Sequence, residues 1–165
     1  MPTKTAQTRR RSGGSRSGDN RTTAARDRRT ARADRTPVRP EDRRFLARYG
    51  NKLSKSTQRA KWTGSPDDRP DRRGQTLATR SHEVIEAWAD DRDARPATAT
   101  RGPDGRPRTL RMDFGEPTRS LETISWEEWF AVFDDRDLVF LYQEQRRDGR
   151  QSNFFRLDNP RRQDG

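Results

Sequence analysis

The sequence predicts an α+β fold: a small antiparallel sheet of about four strands with two helices, in αββαββ order, preceded by a long disordered basic tail. Three observations predict it. Trp126, Trp129, Phe130 and Phe133 recur at the spacing of one helix face. Two Asp-Gly pairs, Asp104-Gly105 and Asp148-Gly149, stand between short apolar runs, which is a hairpin signal. Third, only 26% of the chain is hydrophobic and 38% is charged, so it cannot bury apolar surface along its whole length.

Residues 1–40 are Arg, Ser, Thr, Gly, Ala and Asp without a period, and are assigned to the disordered tail. Arg9-Arg10-Arg11 and Arg26-Asp27-Arg28-Arg29 are its tightest basic clusters. Residues 41–76 form a basic transitional segment and a linker. Phe45, Leu46 and Tyr49 fit a short helix that Gly50 can close. Lys52, Lys55, Arg59 and Lys61 follow, with Leu53 and Trp62 as the large apolar groups. Gly64, Ser65, Pro66, Pro70 and Gly74 punctuate a charged linker over 64–76.

The folded domain is expected over 77–158, with fraying over 159–165. Thr79 or Ser81 caps a helix across 82–91 that presents Val84, Ile85, Trp88 and Ala89, and Arg95-Pro96 ends it. A short strand over 97–100, the first Asp-Gly turn and an alternating strand over 109–114 follow. Ser125 and Glu128 match a capping box ahead of the Trp126 helix. Residues 138–143 and 152–157 are the two strands around the second Asp-Gly turn. Helix, strand, Asp-Gly-Arg turn and strand thus occur twice. The return strands Leu110-Arg111-Met112 and Phe155-Arg156-Leu157 are out of step by one residue. A bulge would absorb that step in a true duplication, and coincidence between two common hairpins is the alternative.

Charge is uneven. Residues 1–40 carry 12 basic and 3 acidic side chains, 41–76 carry 10 and 5, and 77–165 carry 15 and 18. A basic front end on a mildly acidic domain points to a polyanion partner, DNA or RNA bound unspecifically through phosphates, or to a tail that only aids solubility. The high Arg content suits phosphate but follows equally from a GC-rich genome. There is no cysteine, hence no disulfide, thiolate nucleophile or Cys-based metal site. No apolar run reaches the roughly 18 residues of a membrane span. No signal-peptide apolar region opens the chain, and the tail is too poor in apolar groups for an amphipathic transit helix. A cytoplasmic protein is expected.

No catalytic residues, no metal site and no cofactor are assigned. His82 is the sole histidine and reads as a surface residue. The pairs Asp90-Asp91, Glu127-Glu128 and Asp134-Asp135 read as solvated helix surface, with attraction of the chain's own tail as an alternative. Tyr142, Gln143, Ser152 and Asn153 are either a polar ligand patch or cross-strand partners, the simpler account. Arg11-Ser12-Gly13-Gly14 follows no strand and is no phosphate loop.

Residues from about Gly50 to Asp158 resemble a small uncharacterised bacterial protein family. The resemblance rests on GNKLSKSTQRAKW at 50–62, RSHEVIEAW at 80–88, LRMDFG at 110–115, ISWEEWF at 124–130, and LVFLYQE followed by SNFFRLDNP over 138–160. It implies a folded C-terminal domain and makes the basic 50–62 segment part of the functional unit. It implies no function. Some members carry the label 1,4-alpha-glucan branching enzyme, but such enzymes resemble barrels of about 250 residues, which this chain cannot build.

The functional expectation is a non-enzymatic nucleic-acid-associated or adaptor protein. Its polyanion-binding candidates are Arg9, Arg10, Arg11, Arg26, Arg28, Arg29, Lys52, Lys55, Arg59 and Lys61, with Trp62 stacking on a base. Packing of Phe45, Leu46, Tyr49 and Trp62 on the domain is the competing account of those aromatics. In the nucleic-acid-associated reading the C-terminal domain binds a protein partner; a protein-interaction module without nucleic-acid binding is the alternative function, and a small metal-dependent hydrolase the minor one.

Overall fold

A computed structural model describes residues 38–162. Arg9, Arg10, Arg11, Arg26, Arg28, Arg29 and positions 1–37 of the expected tail lie outside the described residues, whereas Arg39 and Pro40, expected in that tail, belong to the fold: Arg39 pairs with Asp42 and Pro40 opens the first helix. Among those described, four α-helices and seven strands make an α+β fold. The helices are α1 (Pro40–Tyr49), α2 (Lys55–Arg59), α3 (His82–Asp90) and α4 (Trp126–Asp135), with a 3-10 turn at Gly50–Lys52. The strands are β1 (Lys61–Trp62), β2 (Leu77–Thr79), β3 (Ala94–Thr98), β4 (Arg111–Phe114), β5 (Glu122–Thr123), β6 (Val139–Tyr142) and β7 (Phe155–Asp158).

The two expected hairpins form, but in separate sheets. One sheet runs β1-β2-β6-β7 and the other β4-β3-β5. All pairings are antiparallel except β1 with β2. The short strands β1, β2 and β5 were not expected, since two or three residues carry no readable period. The run over 138–142 is apolar throughout because β6 is buried on both faces. Phe140 and Tyr142 enter the main core with Trp88, Trp129 and Phe133, while Val139 and Leu141 face a second core. That second core is built by Phe45, Tyr49, Leu53 and Trp62 over Ala78. Residues 41–62 are therefore docked on the sheet.

Ser81 and Ser125 cap α3 and α4, each hydroxyl accepting from the N–H three residues on, at 3.4 and 3.1 Å. The capping box is only half made: the Glu128 carboxylate pairs with Arg101 instead of returning to Ser125. Helix α3 stops at Asp90, before Arg95-Pro96, because Asp93 turns the chain at φ 50°. Pro96 sits inside β3, at the end of the β3–β5 ladder, where only its carbonyl is needed, by Ile124 N–H at 3.0 Å.

The two helix–hairpin units are internal repeats in structure. The caps Ser81 and Ser125, the left-handed Asp93 and Asp137, and the turn glycines Gly105 and Gly149 each stand 44 positions apart. The turns share their bonding: Gly105 and Gly149 N–H reach the carbonyls of Gly102 and Arg146, and Asp104 and Asp148 accept from Arg106 and Arg150 N–H. The first strand of each unit pairs with the hairpin of the other, as β2 with β6 and β5 with β3.

The one-residue step between the return strands is a bulge. In the first hairpin the pairings Ala97 with Arg111 and Arg101 with Pro107 keep one register. In the second, Tyr142 pairs with Phe155 but Gln145 with Gln151, leaving one extra residue among Ser152, Asn153 and Phe154. Arg92 fills that opening. Its guanidinium donates to the carbonyls of Trp88 (2.9 Å), Ser152 (2.6 Å), Gln143 (3.3 Å) and Glu144 (3.0 Å), lies 4.3 Å over the Trp88 ring, and its side chain is 1% exposed. Arg136, its repeat counterpart, reaches across to the carbonyls of Arg108 (2.9 Å) and Pro107 (3.3 Å) of the first hairpin.

Candidate polyanion-binding surface

The site is built on how 39–62 docks. Asp42, Phe45 and Tyr49 form the buried stripe of α1, so Arg43, Arg44 and Arg48 fall on its exposed side. Asp42 is neutralised by Arg39 through two contacts of 2.7 and 2.9 Å. Further along, Ser54 caps α2, and the buried Asp158 holds this turn by accepting from Ser54 N–H (2.8 Å) and the Thr57 hydroxyl (2.5 Å). Burial pushes the Asp158 carboxyl up, but the hydrogen bonds from Thr57 and Ser54 and the charge of Arg162 outweigh it and hold it below the usual carboxylate range.

Lys52, Lys55 and Arg59 are exposed around this turn, and none has an ion pair among the described residues. Lys61 differs: its ammonium meets Asp71 at 3.0 Å and the Arg69 carbonyl at 2.8 Å. Trp62 offers no face for stacking on a base. It is 8% exposed, with its ring 6.3 Å from that of Phe45, because β1 places it in the second core.

Arg161 and Arg162 come to the same place, although fraying is expected over 159–165. They are set by Asp137, which pairs with Arg161, and by Asp158, which meets Arg162 at 2.7 Å. Lys52 and Lys55 line a cleft of about 690 Å3 with Asn51, Gln58, Arg161 and Arg162, and no carboxylate side chain among the described residues lines it. Lys52 and Lys55 at this open cleft can take phosphate oxygens, and Arg161 and Arg162 add the guanidinium donors not spent on Asp137 and Asp158. Helical periodicity around Phe45 and Tyr49 would have found Arg43, Arg44 and Arg48. No local signal marks Arg161 and Arg162, whose position depends on β7 bringing Asp158 under Ser54.

The other sequence candidates lie elsewhere. The His82 ring is exposed, stacks on Phe130 at 3.9 Å, and its Nε2 meets Asp134 at 3.0 Å. Glu128 pairs with Arg101, and Asp135 with Arg106 at 3.6 Å, on exposed helix surface. Tyr142 is buried with its hydroxyl on Thr63 at 2.6 Å, while the Ser152 hydroxyl meets the Gln143 side chain across the strands at 3.3 Å. Burial raises the Tyr142 phenol well above its ordinary range. Among the described residues no helix is long and apolar enough to cross a membrane. No protein family, curated protein or solved structure matches the chain.

Proposed function

We propose that this protein is a non-enzymatic polyanion-binding protein that holds nucleic-acid phosphates through its basic N-terminal half. The observation that carries the reading is that Lys52, Lys55 and Arg59 stand exposed, without an ion pair among the described residues, beside a cleft that no carboxylate among those residues lines. Arg43, Arg44 and Arg48 extend the same charge along α1. Arg9, Arg10, Arg11, Arg26, Arg28 and Arg29 precede them in the chain and add phosphate contacts in this reading. Lys61 contributes charge but is shared with Asp71, and Trp62 has no part. Such contacts are unspecific for sequence, and DNA and RNA are both ligands. The setting is the cytoplasm, where nucleic acid is met.

The test is anisotropy with labelled DNA and RNA at low salt, for the full chain and for a Lys52→Gln, Lys55→Gln, Arg59→Gln variant. Sub-micromolar binding by the wild type and weaker binding by the variant is expected. No binding by the wild type overturns the reading. A second reading, a protein-interaction module, draws on Phe154, which is 46% exposed beside the bulge. Pull-down of a protein that survives nuclease treatment and is lost in Phe154→Ser would favour it.

A further inference from the structure

Two arginines, Arg73 and Arg147, are brought together where the 64–76 connection crosses the hairpin turn of residues 145–151. Gly74 is pinned there at φ 73°: its N–H donates to the Gln145 carbonyl at 3.0 Å and its carbonyl accepts from the Gln143 side chain at 3.3 Å. The approach is close on both sides. A Cβ on Gly74 would come 2.8 Å from Arg147 Cγ, and one on Gly149 would come 3.0 Å from the Arg73 Cζ. The Arg73 guanidinium therefore lies over Gly149, and Arg147 lies against Gly74, the chain neighbour of Arg73.

The repeat supplies an internal control. The first turn has the same Asp-Gly-Arg sequence and the same bonding, yet among the described residues nothing lies within 4 Å of where a Gly105 Cβ would be. The cover on the second turn is thus an addition and no requirement of the turn itself. Nearby carboxylates are each engaged by another cation: Asp148 by Arg146 at 3.3 Å, Glu144 by Arg92 at 3.4 Å, and Asp71 by Lys61 at 3.0 Å. Arg73, Arg147 and Arg150 are exposed and have no ion pair among the described residues. Arg73 and Arg147, held near one another by a backbone clasp while the neighbouring carboxylates pair with other cations, form a place for a multivalent anion.

We infer that Arg73 and Arg147 form a second phosphate site, for two or more linked phosphates. Resting on the function proposed above, the ligand is a nucleic-acid backbone, and free oligophosphate is the other source of the same chemistry. A nucleic acid that also occupies the Lys52 cleft would then be held at two places, fixing how it lies on the protein.

The test follows the side-chain Nε–H resonances of arginine in the full chain during titration with inorganic tripolyphosphate, then with a single-stranded and a duplex oligonucleotide. Saturable shifts at Arg73 and Arg147, absent at the exposed Arg119, are expected. Linear shifts of equal size at Arg119 mean diffuse attraction and overturn the site. Arg73→Gln with Arg147→Gln should weaken oligonucleotide binding by about tenfold at moderate salt. Arg111→Gln with Arg119→Gln, the same loss of charge elsewhere, should weaken it far less, and an equal loss also overturns the site. Circular dichroism of both variants checks that the fold is kept. Saturation by tripolyphosphate without oligonucleotide binding by the wild type would uphold the site and reject the nucleic-acid reading. Oligonucleotide binding that ignores the Arg73 and Arg147 changes would do the reverse.

Discussion

Replacing Arg92 by methionine keeps most of the buried chain and removes the charged fork from the bulge of the second hairpin. The structure sets the size of the effect. The Gln143 and Glu144 carbonyls keep other donors, Trp88 Nε1–H at 3.0 Å and Ser152 N–H at 3.1 Å. The Trp88 and Ser152 carbonyls keep none among the described residues. Two carbonyls left buried without a donor cost about 1–3 kcal/mol each. The lost contact with the Trp88 face adds about 1–2 kcal/mol when desolvated. A net loss of about 3–5 kcal/mol is expected, since methionine regains some packing. For a folded body of this size that is a fall of roughly 10–20 °C in Tm. Arg136→Met is the matched comparison, because Arg136 makes the equivalent reach with two bonds and is half-buried. Its loss should be about 0.5–1.5 kcal/mol. Urea unfolding of the two variants measures both. Equal losses, or a loss under about 1 kcal/mol for Arg92→Met, would refute the argument that the bulge depends on this guanidinium.

Two other outcomes follow from the docked N-terminal segment. Asp158 is held below the usual carboxylate range in the folded protein, so its contribution is present at neutral pH and fades as pH falls below about 4. Asp158→Asn should cost about 2–3 kcal/mol at neutral pH and flatten the acid side of the stability curve, and an unchanged acid side would contradict it. Phe45 is 6% exposed, with its ring 5.0 Å from Tyr49 and under the Arg80 guanidinium at 4.3 Å. Phe45→Ala should cost about 3–5 kcal/mol and expose the amides of α1 to exchange, whereas a loss under about 1 kcal/mol would mean that α1 does not cover the sheet.

What could be read from sequence was local. Ser81 and Ser125 before apolar periodicity gave both capped helices, and the two Asp-Gly pairs gave both hairpins. The return strands were seen to be out of step, but the bulge could not be located, because Arg92 lies some 50–60 positions from the carbonyls it fills. The short strands β2 and β5 escaped because a strand of two or three residues is set by its partners, here β6 and β3. Of the candidate site, the lysines could be found by composition alone. Exposure separates Lys52, Lys55 and Arg59 from the paired Lys61 and the buried Trp62, and exposure is a property of the docked segment. Arg161 and Arg162 join them only through tertiary pairing.

The most direct measurement is the slope of log binding constant against log salt concentration for duplex DNA, in the wild type and in the Lys52→Gln, Lys55→Gln, Arg59→Gln variant. Each phosphate contact contributes about 0.9 to that slope, so the variant should be shallower by about 2–3 and weaker at every salt concentration. An identical slope in the two proteins would contradict the claim that this face meets the phosphates.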